Sequence, residues 1–587
     1  DVSKPYLGLT TAGDKGTGFA IDNSRSHRAT AGFFGRINLD WKGIYLFEFN
    51  GRYDGSSKFP AKDQWAFFPS FSAGYRFSEE AYFAPAKQYV SNAKLRVSYG
   101  HIGNENVGSN RFISTISNGT LNWLTGGAKT PYAGMPSLVS NTLTWERVIT
   151  TDVGLDLGLL DNSINLTFDW FSRETKDMLA PGPTQPSVLG ASAPVGNNGV
   201  LRTNGWELGI GWNHSFGDAD VYANFNIYDA KTKVVKYRNN SGSISNFYDG
   251  KEYGEIWGFE TDRLFTHGDF QRNADGSFAK DDKGNFIPNA GIPSQVGLQT
   301  SSFKYGPGDI KFQDLDGDGV ITGGFKGCYE LNGQLYIPRS AVPNLPASQT
   351  KIGAYNIVDG QAYEDIVNNE NATSWGIGTT KNHGDLKVIG NAVPRYEYSF
   401  RLGGAWKGFD IDMFFQGVGK RNYWTCSAFV MPLTRGADAT YANQESYNKM
   451  IFDEANHIVG YEIDQSNDYP CMYHGASSTG AISGLGQGRF NFYPQTKYLL
   501  NSAYLRFKTL TVGYTLPTAL TQKALIQKAR IYFSADNLCL LYNGMKKYPI
   551  DPEIGNTWTS SLSYSDGTFG RSEPMNRTFS FGIQVTL

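Results

Sequence analysis

The sequence predicts an all-β chain: a transmembrane antiparallel β-barrel with short periplasmic turns at one end of its strands and long extracellular loops at the other. Three observations carry this expectation. Apolar and polar residues alternate with period two through segment after segment, Trp, Phe, Leu and Ile on one face and Asp, Asn, Glu, Lys, Arg and Gly on the other. Strand pairs are joined alternately by short turns and by long polar segments, about 100–142, 237–393 and 420–497. The composition suits half-buried strands and many turns, with 68 Gly, 34 Tyr, 38 Phe and 12 Trp in 587 residues and only 18% charged. A soluble sandwich also alternates. The uneven connections and the aromatics near strand ends favour the barrel, which satisfies every backbone group without an edge.

The elements follow in order. Leu95, Val97 and Tyr99 oppose Lys94, Arg96 and Ser98. Val153, Leu155, Leu157 and Leu159 alternate with Asp152, Gly154, Asp156 and Gly158, and a turn is predicted at Asp161 and Asn162. Ile164, Leu166, Phe168 and Trp170 then alternate with Asn165, Thr167 and Asp169, completing a hairpin with one apolar face. Trp206, Leu208, Ile210 and Trp212 repeat the pattern, as do Val221, Ala223, Phe225 and Ile227. Phe409, Ile411, Met413 and Phe415 follow, and Phe579, Phe581, Ile583, Val585 and Leu587 end the chain. The count is roughly thirteen or fourteen strands of a length that crosses a bilayer obliquely.

Composition excludes several classes. A formal net charge of -2 leaves no electrostatic footprint for nucleic acid. No apolar run is long enough for a membrane-spanning helix. The start, DVSKPYLGLT, is not a signal peptide. Cys328, Cys426, Cys471 and Cys539 show no CxxC spacing. Cys426 and Cys471 flank one loop, where either a disulfide or free thiols would fit. No catalytic residue emerges: G-x-S-x-G, H-E-x-x-H and a phosphate loop are missing, and the seven histidines are scattered. Glu79-Glu80 and Asp281-Asp282 read as solvated turns, so the expectation is a protein that is not an enzyme.

One loop carries metal chemistry. DLDGDGVIT, Asp314–Thr322, places Asp314, Asp316 and Asp318 at positions 1, 3 and 5 of a calcium loop, with Gly319 at the turn. Position 12 falls on Phe325, which cannot bind calcium. The stretch is therefore a broken loop, a solvated acidic turn, or half of a site completed elsewhere.

Longer motifs resemble one family. GRYDGSSKFP (Gly51–Pro60), FPSFSAGYRFSEEAYF (Phe68–Phe83), KLRVSYGHIGNENVG (Lys94–Gly108), TWERVITTDVGLD (Thr144–Asp156), PQTKYLLNSAYLRFKTLTVGYTLP (Pro494–Pro517), FSADNL (Phe533–Leu538) and DPE (Asp551–Glu553) are similar, in the same order, to SusC-like (RagA-like) TonB-dependent outer-membrane transporters of Bacteroidetes. The resemblance implies a 22-stranded barrel closed by an N-terminal plug, of which residues 1–587 would supply the C-terminal part, roughly 14 strands. The plug and the first strands are expected outside this chain. It implies active import of a glycan or peptide, a SusD-like surface lipoprotein as lid, and energy from TonB with ExbB and ExbD. Membrane lipid and lipopolysaccharide would surround the wall, and a dimer of transporter–lipoprotein pairs is a further expected assembly.

The same resemblance bears on the acidic loop. The family pattern GDIKYxDxNGDGxIDxxDR runs into IIGNxxP; here PGDIKFQDLDGDGVIT (Pro307–Thr322) is parted from HGDLKVIGNAVPRY (His383–Tyr396) by an insertion. It implies that Asp385 supplies the position-12 carboxylate, with Val320 giving a carbonyl and Thr322 a hydroxyl or a water. Calcium there would brace an extracellular loop. The alternative to the transporter is a secreted calcium-stabilised β adhesin or glycan-binding protein, whose sugar-stacking loops would be Glu255–Phe265 and Arg421–Pro432.

Overall fold

The computed structural model describes residues 27–587 apart from 110, 141–142, 181, 183–187, 189–193, 300–302, 343–344, 425–429, 431–447, 453–457, 464–468, 471–490, 549, 554–572 and 574. The Cys426 and Cys471 question lies outside the described residues. Cys328 and Cys539 are free thiols.

Thirteen of the described strands form one sheet in which each lies beside its predecessor in sequence. They are β1 (Thr30–Trp41), β2 (Tyr45–Ser56), β3 (Trp65–Tyr75), β4 (Val90–Asn104), β5 (Glu146–Leu159), β6 (Ile164–Ala180), β7 (Gly196–Phe216), β8 (Ala219–Lys236), β9 (Arg395–Trp406), β10 (Phe409–Lys420), β11 (Tyr504–Thr515), β12 (Lys528–Asn543) and β13 (Thr578–Thr586). The predicted hairpin turn is present between β5 and β6, where Leu160, Asp161 and Asn162 all take positive φ. Asp and Asn tolerate that region better than most side chains. Two other hairpins share one sequence device, Trp-Lys-Gly. Lys407-Gly408 is a two-residue turn with both φ positive, the geometry that matches strand twist, and Lys42-Gly43, also with both φ positive, opens a three-residue turn that Ile44 completes. Each lysine lies over the preceding Trp ring, at 5.2 Å for Lys42 on Trp41 and 5.3 Å for Lys407 on Trp406.

The chain divides into two compact units. The first comprises Asp1–Tyr75, Arg96–Asp152 and Arg173–Leu201. Its buried core joins motifs far apart in sequence: Phe59, Phe68, Val107, Leu143 and Trp145 pack together. Trp145 Nε1 donates to the Gln64 carbonyl at 2.8 Å. Its neighbour Glu146 accepts from Asn104 Nδ2 at 2.6 Å and from the Leu179 amide at 2.8 Å.

The second comprises Arg76–Leu95, Val153–Ser172 and Arg202–Leu587. Strand register from β8 to β13 sorts its side chains into two sets. One face carries the row Val221, Gly404, Ile411, Val512, Phe533 and Phe581, and beside it Ala223, Leu402, Met413, Leu510, Ala535 and Phe579. Phe400, Phe415 and Phe507 stack on this face with centroids 4.4 Å apart. The other face carries Tyr222, Gly403, Asp412, Thr511, Ser534 and Ser580. Phe579, Phe581 and Ile583 stay exposed at 58%, 83% and 71%. An apolar face turned outward is what a lipid-facing wall requires.

The long connections hold more order than their polarity predicts. Segments from 244–392 and 423–550 share a core of Ile256, Phe259, Phe265, Phe312, Phe492 and Tyr498, among others. Buried amides stitch it together: Asn491 accepts from the Ile310 amide at 2.8 Å and donates to Asp309 at 2.7 Å. This corrects the sugar-stacking expectation for Glu255–Phe265. Ile256, Phe259 and Phe265 are buried, because they supply that core. Tyr423 and Trp424 of the second expected loop are buried as well.

Candidate functional site

The acidic loop is built by its own backbone. Gly317 and Gly319 take φ of +71° and +83°, conformations that side chains resist, and let the chain fold back on Asp314. Asp314 then accepts the amides of Gly317 at 2.7 Å and Gly319 at 2.8 Å. Asp318 accepts the Val320 amide at 2.8 Å. Beyond the turn, Ile321 is fully buried and its amide bonds the Ser294 carbonyl at 2.8 Å. The carboxylates of Asp314, Asp316 and Asp318 converge, with ligand oxygens all within 4.8 Å of one another. Two oxygens on opposite sides of a calcium ion, each about 2.4 Å away, stand about that far apart.

Asp385 reaches this loop from the far side of the insertion. It is buried, and its two oxygens accept the Leu315 amide at 2.9 Å and the Thr322 amide at 2.8 Å. Each oxygen therefore keeps one further lone pair. The Thr322 hydroxyl is turned away: it donates to the Gly324 carbonyl at 2.8 Å and accepts the Gly324 amide at 3.1 Å. That orientation disfavours a direct Thr322 hydroxyl ligand and suits a water in its place. Phe325 is buried in a different core, with its amide on Asn382 Oδ1 at 2.8 Å.

The insertion is itself folded. Cys328–Leu331, Gln334–Pro338, Lys351–Ile352, Tyr355–Val358 and Thr373–Trp375 form a five-stranded sheet, with a helix, α1, over Gly360–Val367. Phe325, Cys328, Ile337, Val342, Ile352, Tyr355 and Ile357 make its core. Burial pushes the Cys328 thiol up to about 12. Gly353, at φ +50°, sits over the acidic loop: a Cβ there would lie 2.7 Å from Asp316 Oδ2. Sequence reasoning missed both Gly353 and Asn382, since neither belongs to a recognisable motif.

The carboxylates are crowded. Burial, and then the neighbouring charges of Asp316, Asp385 and Asp314, push Asp318 up to about 7. Asp385 rises to about 6, chiefly through burial. Asp316 is also raised, again mainly by burial. Such a group of hard oxygen donors fits calcium.

A second feature lies on the polar face of the sheet. A trough of about 650 Å³ is lined by Asn165, Asp169, Glu207, Asn226, Glu397 and Gln416, with Gly209 and Gly211 in its wall. Tyr228 donates to Glu397 at 2.6 Å across it. Nearby, Arg401 Nε donates to Asp412 at 2.7 Å, and Tyr222 also donates to Asp412. These amides, carboxylates and hydroxyls offer hydrogen bonds to a polar solute. Alternation marked these positions as polar; their convergence needed the strand register.

Comparisons with known proteins agree with this architecture. Residues 4–369 match the family described as TonB dependent receptor-like, beta-barrel. The chain is 24% identical over 559 residues to TonB-dependent receptor P3 of Formosa agariphila, covering 94% of this chain and 45% of that protein. It is 30% identical over 182 residues to TonB-dependent receptor SusC of Bacteroides thetaiotaomicron, covering 30% of this chain and 18% of that one. Among solved structures, the RagAB peptide transporter superposes with a TM-score of 0.59 at 19% identity, over 99% of this chain and 50% of that one. The chain spans about half the length of the long curated relatives it matches.

Proposed function

Because this chain belongs to the TonB dependent receptor-like β-barrel family, we propose that it forms the wall and outer face of an outer-membrane importer for a polymeric nutrient. The observation that carries the reading is the two-faced sheet: an apolar face with exposed Phe and Ile, and a polar face with a hydrogen-bonding trough. The apolar face meets lipid and the polar face lines the route. The chain itself binds and gates; it does no bond chemistry. A SusD-like lipoprotein on the loops delivers the ligand, a plug and further strands complete the barrel, and TonB drives opening. Transport then rests on differential binding between lid-open and lid-closed states. The RagAB structures are of a peptide importer, which supports a peptide as the first ligand class to try, ahead of a glycan.

We also infer a structural calcium in the acidic loop. Asp314, Asp316 and Asp318 would hold it, with the Val320 carbonyl, a water near Thr322, and the remaining lone pairs of Asp385. Bound there, the ion supplies charge that neutralises crowded carboxylates and fixes a loop. Among the described residues no helix pair flanks the site to turn binding into a signal.

The reading is tested on the full-length protein in its own membrane. The folded form should migrate faster than the boiled form in detergent gels, and a surface lipoprotein should co-purify in stoichiometric amount. Recovery of the protein as a detergent-free monomer would overturn the reading.

A further inference from the structure

The trough on the polar face has a floor without side chains. Gly209 and Gly211 take alternate positions on β7 and line it, while the side chains of Leu208, Ile210 and Trp212 belong to the opposite face. Glycine inside a strand loses conformational entropy and offers nothing to pack. It marks a place where another backbone or a ligand comes close. A Cβ at Gly209 would lie 3.2 Å from Asn226 Oδ1, and one at Gly211 would lie 3.1 Å from Asn224 Oδ1. The two glycines thus stand opposite two asparagines of β8, whose amide oxygens reach toward the space the glycines leave open.

Among the described residues, the side-chain amides of Asn224 and Asn226 have no hydrogen-bond partner within the protein. Each such amide carries both a donor and an acceptor, as a peptide group does. Their spacing is also a peptide's. Two residues apart on one strand, they stand about 6.8 Å from each other. An extended peptide shows an N–H and a C=O to one side at every second residue, with that same repeat. A chain lying along β8 above the two glycines gives one donor–acceptor pair to each asparagine. Gln416 offers a third amide across the trough, in register through Asn226 with Ser399 and Ser399 with Gln416. A glycan brings hydroxyls without this repeat.

We propose that the trough holds an extended peptide by its backbone, with Asn224 and Asn226 bonding its peptide groups whatever side chains it carries. The assignment rests on the importer reading above. It deepens that reading by naming residues that recognise a peptide and by placing one station of its route on the wall from β7 to β10.

The test uses the full-length protein purified from its outer membrane in mild detergent. The probes are a short peptide of mixed sequence, the matching depsipeptide in which esters replace the backbone amides, and a neutral oligosaccharide of similar mass. Retention is read by native mass spectrometry. Wild type should retain the peptide roughly tenfold better than the depsipeptide, which lacks the N–H donors. Asn224→Leu with Asn226→Leu should lose most of that difference. Gly209→Val with Gly211→Val fills the floor and should lower peptide retention to a similar degree. Heat-modifiable migration of each variant confirms that the barrel has folded. Equal retention of peptide and depsipeptide by wild type, an undiminished difference in the folded asparagine variant, or stronger retention of the oligosaccharide would overturn the peptide trough. So would an asparagine variant that keeps its peptide and loses only thermal stability, since the amides would then serve a contact within the barrel. Absence of the wild type from the outer membrane would instead sink the importer reading.

Discussion

Thr322 and Asp385, 63 residues apart, close on each other through a reciprocal pair. The Thr322 amide donates to the Asp385 carboxylate at 2.8 Å, and the Asp385 amide donates to the Thr322 carbonyl at 2.8 Å. The chain therefore leaves the acidic loop and returns to it at one point, and the insertion hangs from that point as a folded unit. The Asp385 carboxylate caps two loop amides, those of Leu315 and Thr322.

Asp385→Ala strips both amides of their acceptor in a buried place. The cost should be about 1–3 kcal/mol for each group left unsatisfied. Asp385→Asn should be nearly as harmful, because its amide nitrogen sets a donor against a donor. Limited proteolysis near residues 314–322 measures this, with and without calcium. Calcium affinity unchanged in Asp385→Ala would remove Asp385 from the ion's ligand set.

The acidity of the loop sets a pH dependence with a definite sign. Asp318 and Asp385, at about 7 and about 6, bind protons more tightly folded than unfolded. Between about pH 4 and pH 7 the folded loop thus holds more protons, so metal-free stability falls as pH rises. Calcium requires the ionised carboxylates, so its affinity should rise over the same window. Protease resistance of the chelated protein should be greater at about pH 5 than at about pH 8, and calcium should reverse that order. Resistance that rises with pH in the absence of metal would contradict the raised acidities.

The strands were legible because pleating imposes period two on any half-buried strand. The turn at Asp161-Asn162 and the apolar rows of β10 and β13 could be placed from alternation alone. The loop core was not legible. Phe265 and Phe492 lie outside the strands and Phe312 ends a strand of three residues, Ile310–Phe312, and such short or irregular pieces leave no period to read. The acidic loop announced itself through three aspartates at fixed spacing, whereas Asn382 gave no signal. Its role follows only from position: its side chain bonds the amide and carbonyl of Phe325, each at 2.8 Å.

Those bonds make the insertion separable. Phe325 and Asn382 already lie side by side, and the residues between them carry their own core. Excising 326–381 with a short glycine bridge should leave the sheet folded and the Asp314 loop protected by calcium. Asn382→Ala in the intact protein should instead loosen the insertion, by about 1–3 kcal/mol per stranded group. Hydrogen exchange over 323–382 against exchange over β8 to β11 distinguishes the two. Loss of heat-modifiable migration on excision would show that the insertion is needed for the barrel itself.

The final prediction concerns the polar face near the Asp551–Glu553 motif. Arg506 on β11 is nearly buried and pairs with Asp551, while Lys508 bonds Glu553 at 2.6 Å. Arg506→Met leaves the Asp551 carboxylate partly buried without its partner, which should cost about 3–5 kcal/mol. Taking out the Asp551 charge as well should restore much of that, because a buried pair barely repays its own desolvation. The double variant Arg506→Met, Asp551→Asn, which keeps the Lys508–Glu553 pair, should therefore unfold at a temperature closer to wild type than the single variant does. The measurement is the temperature at which the fast-migrating folded band disappears. A double variant less stable than Arg506→Met alone would show that the pair holds the strand by net attraction, contrary to this account.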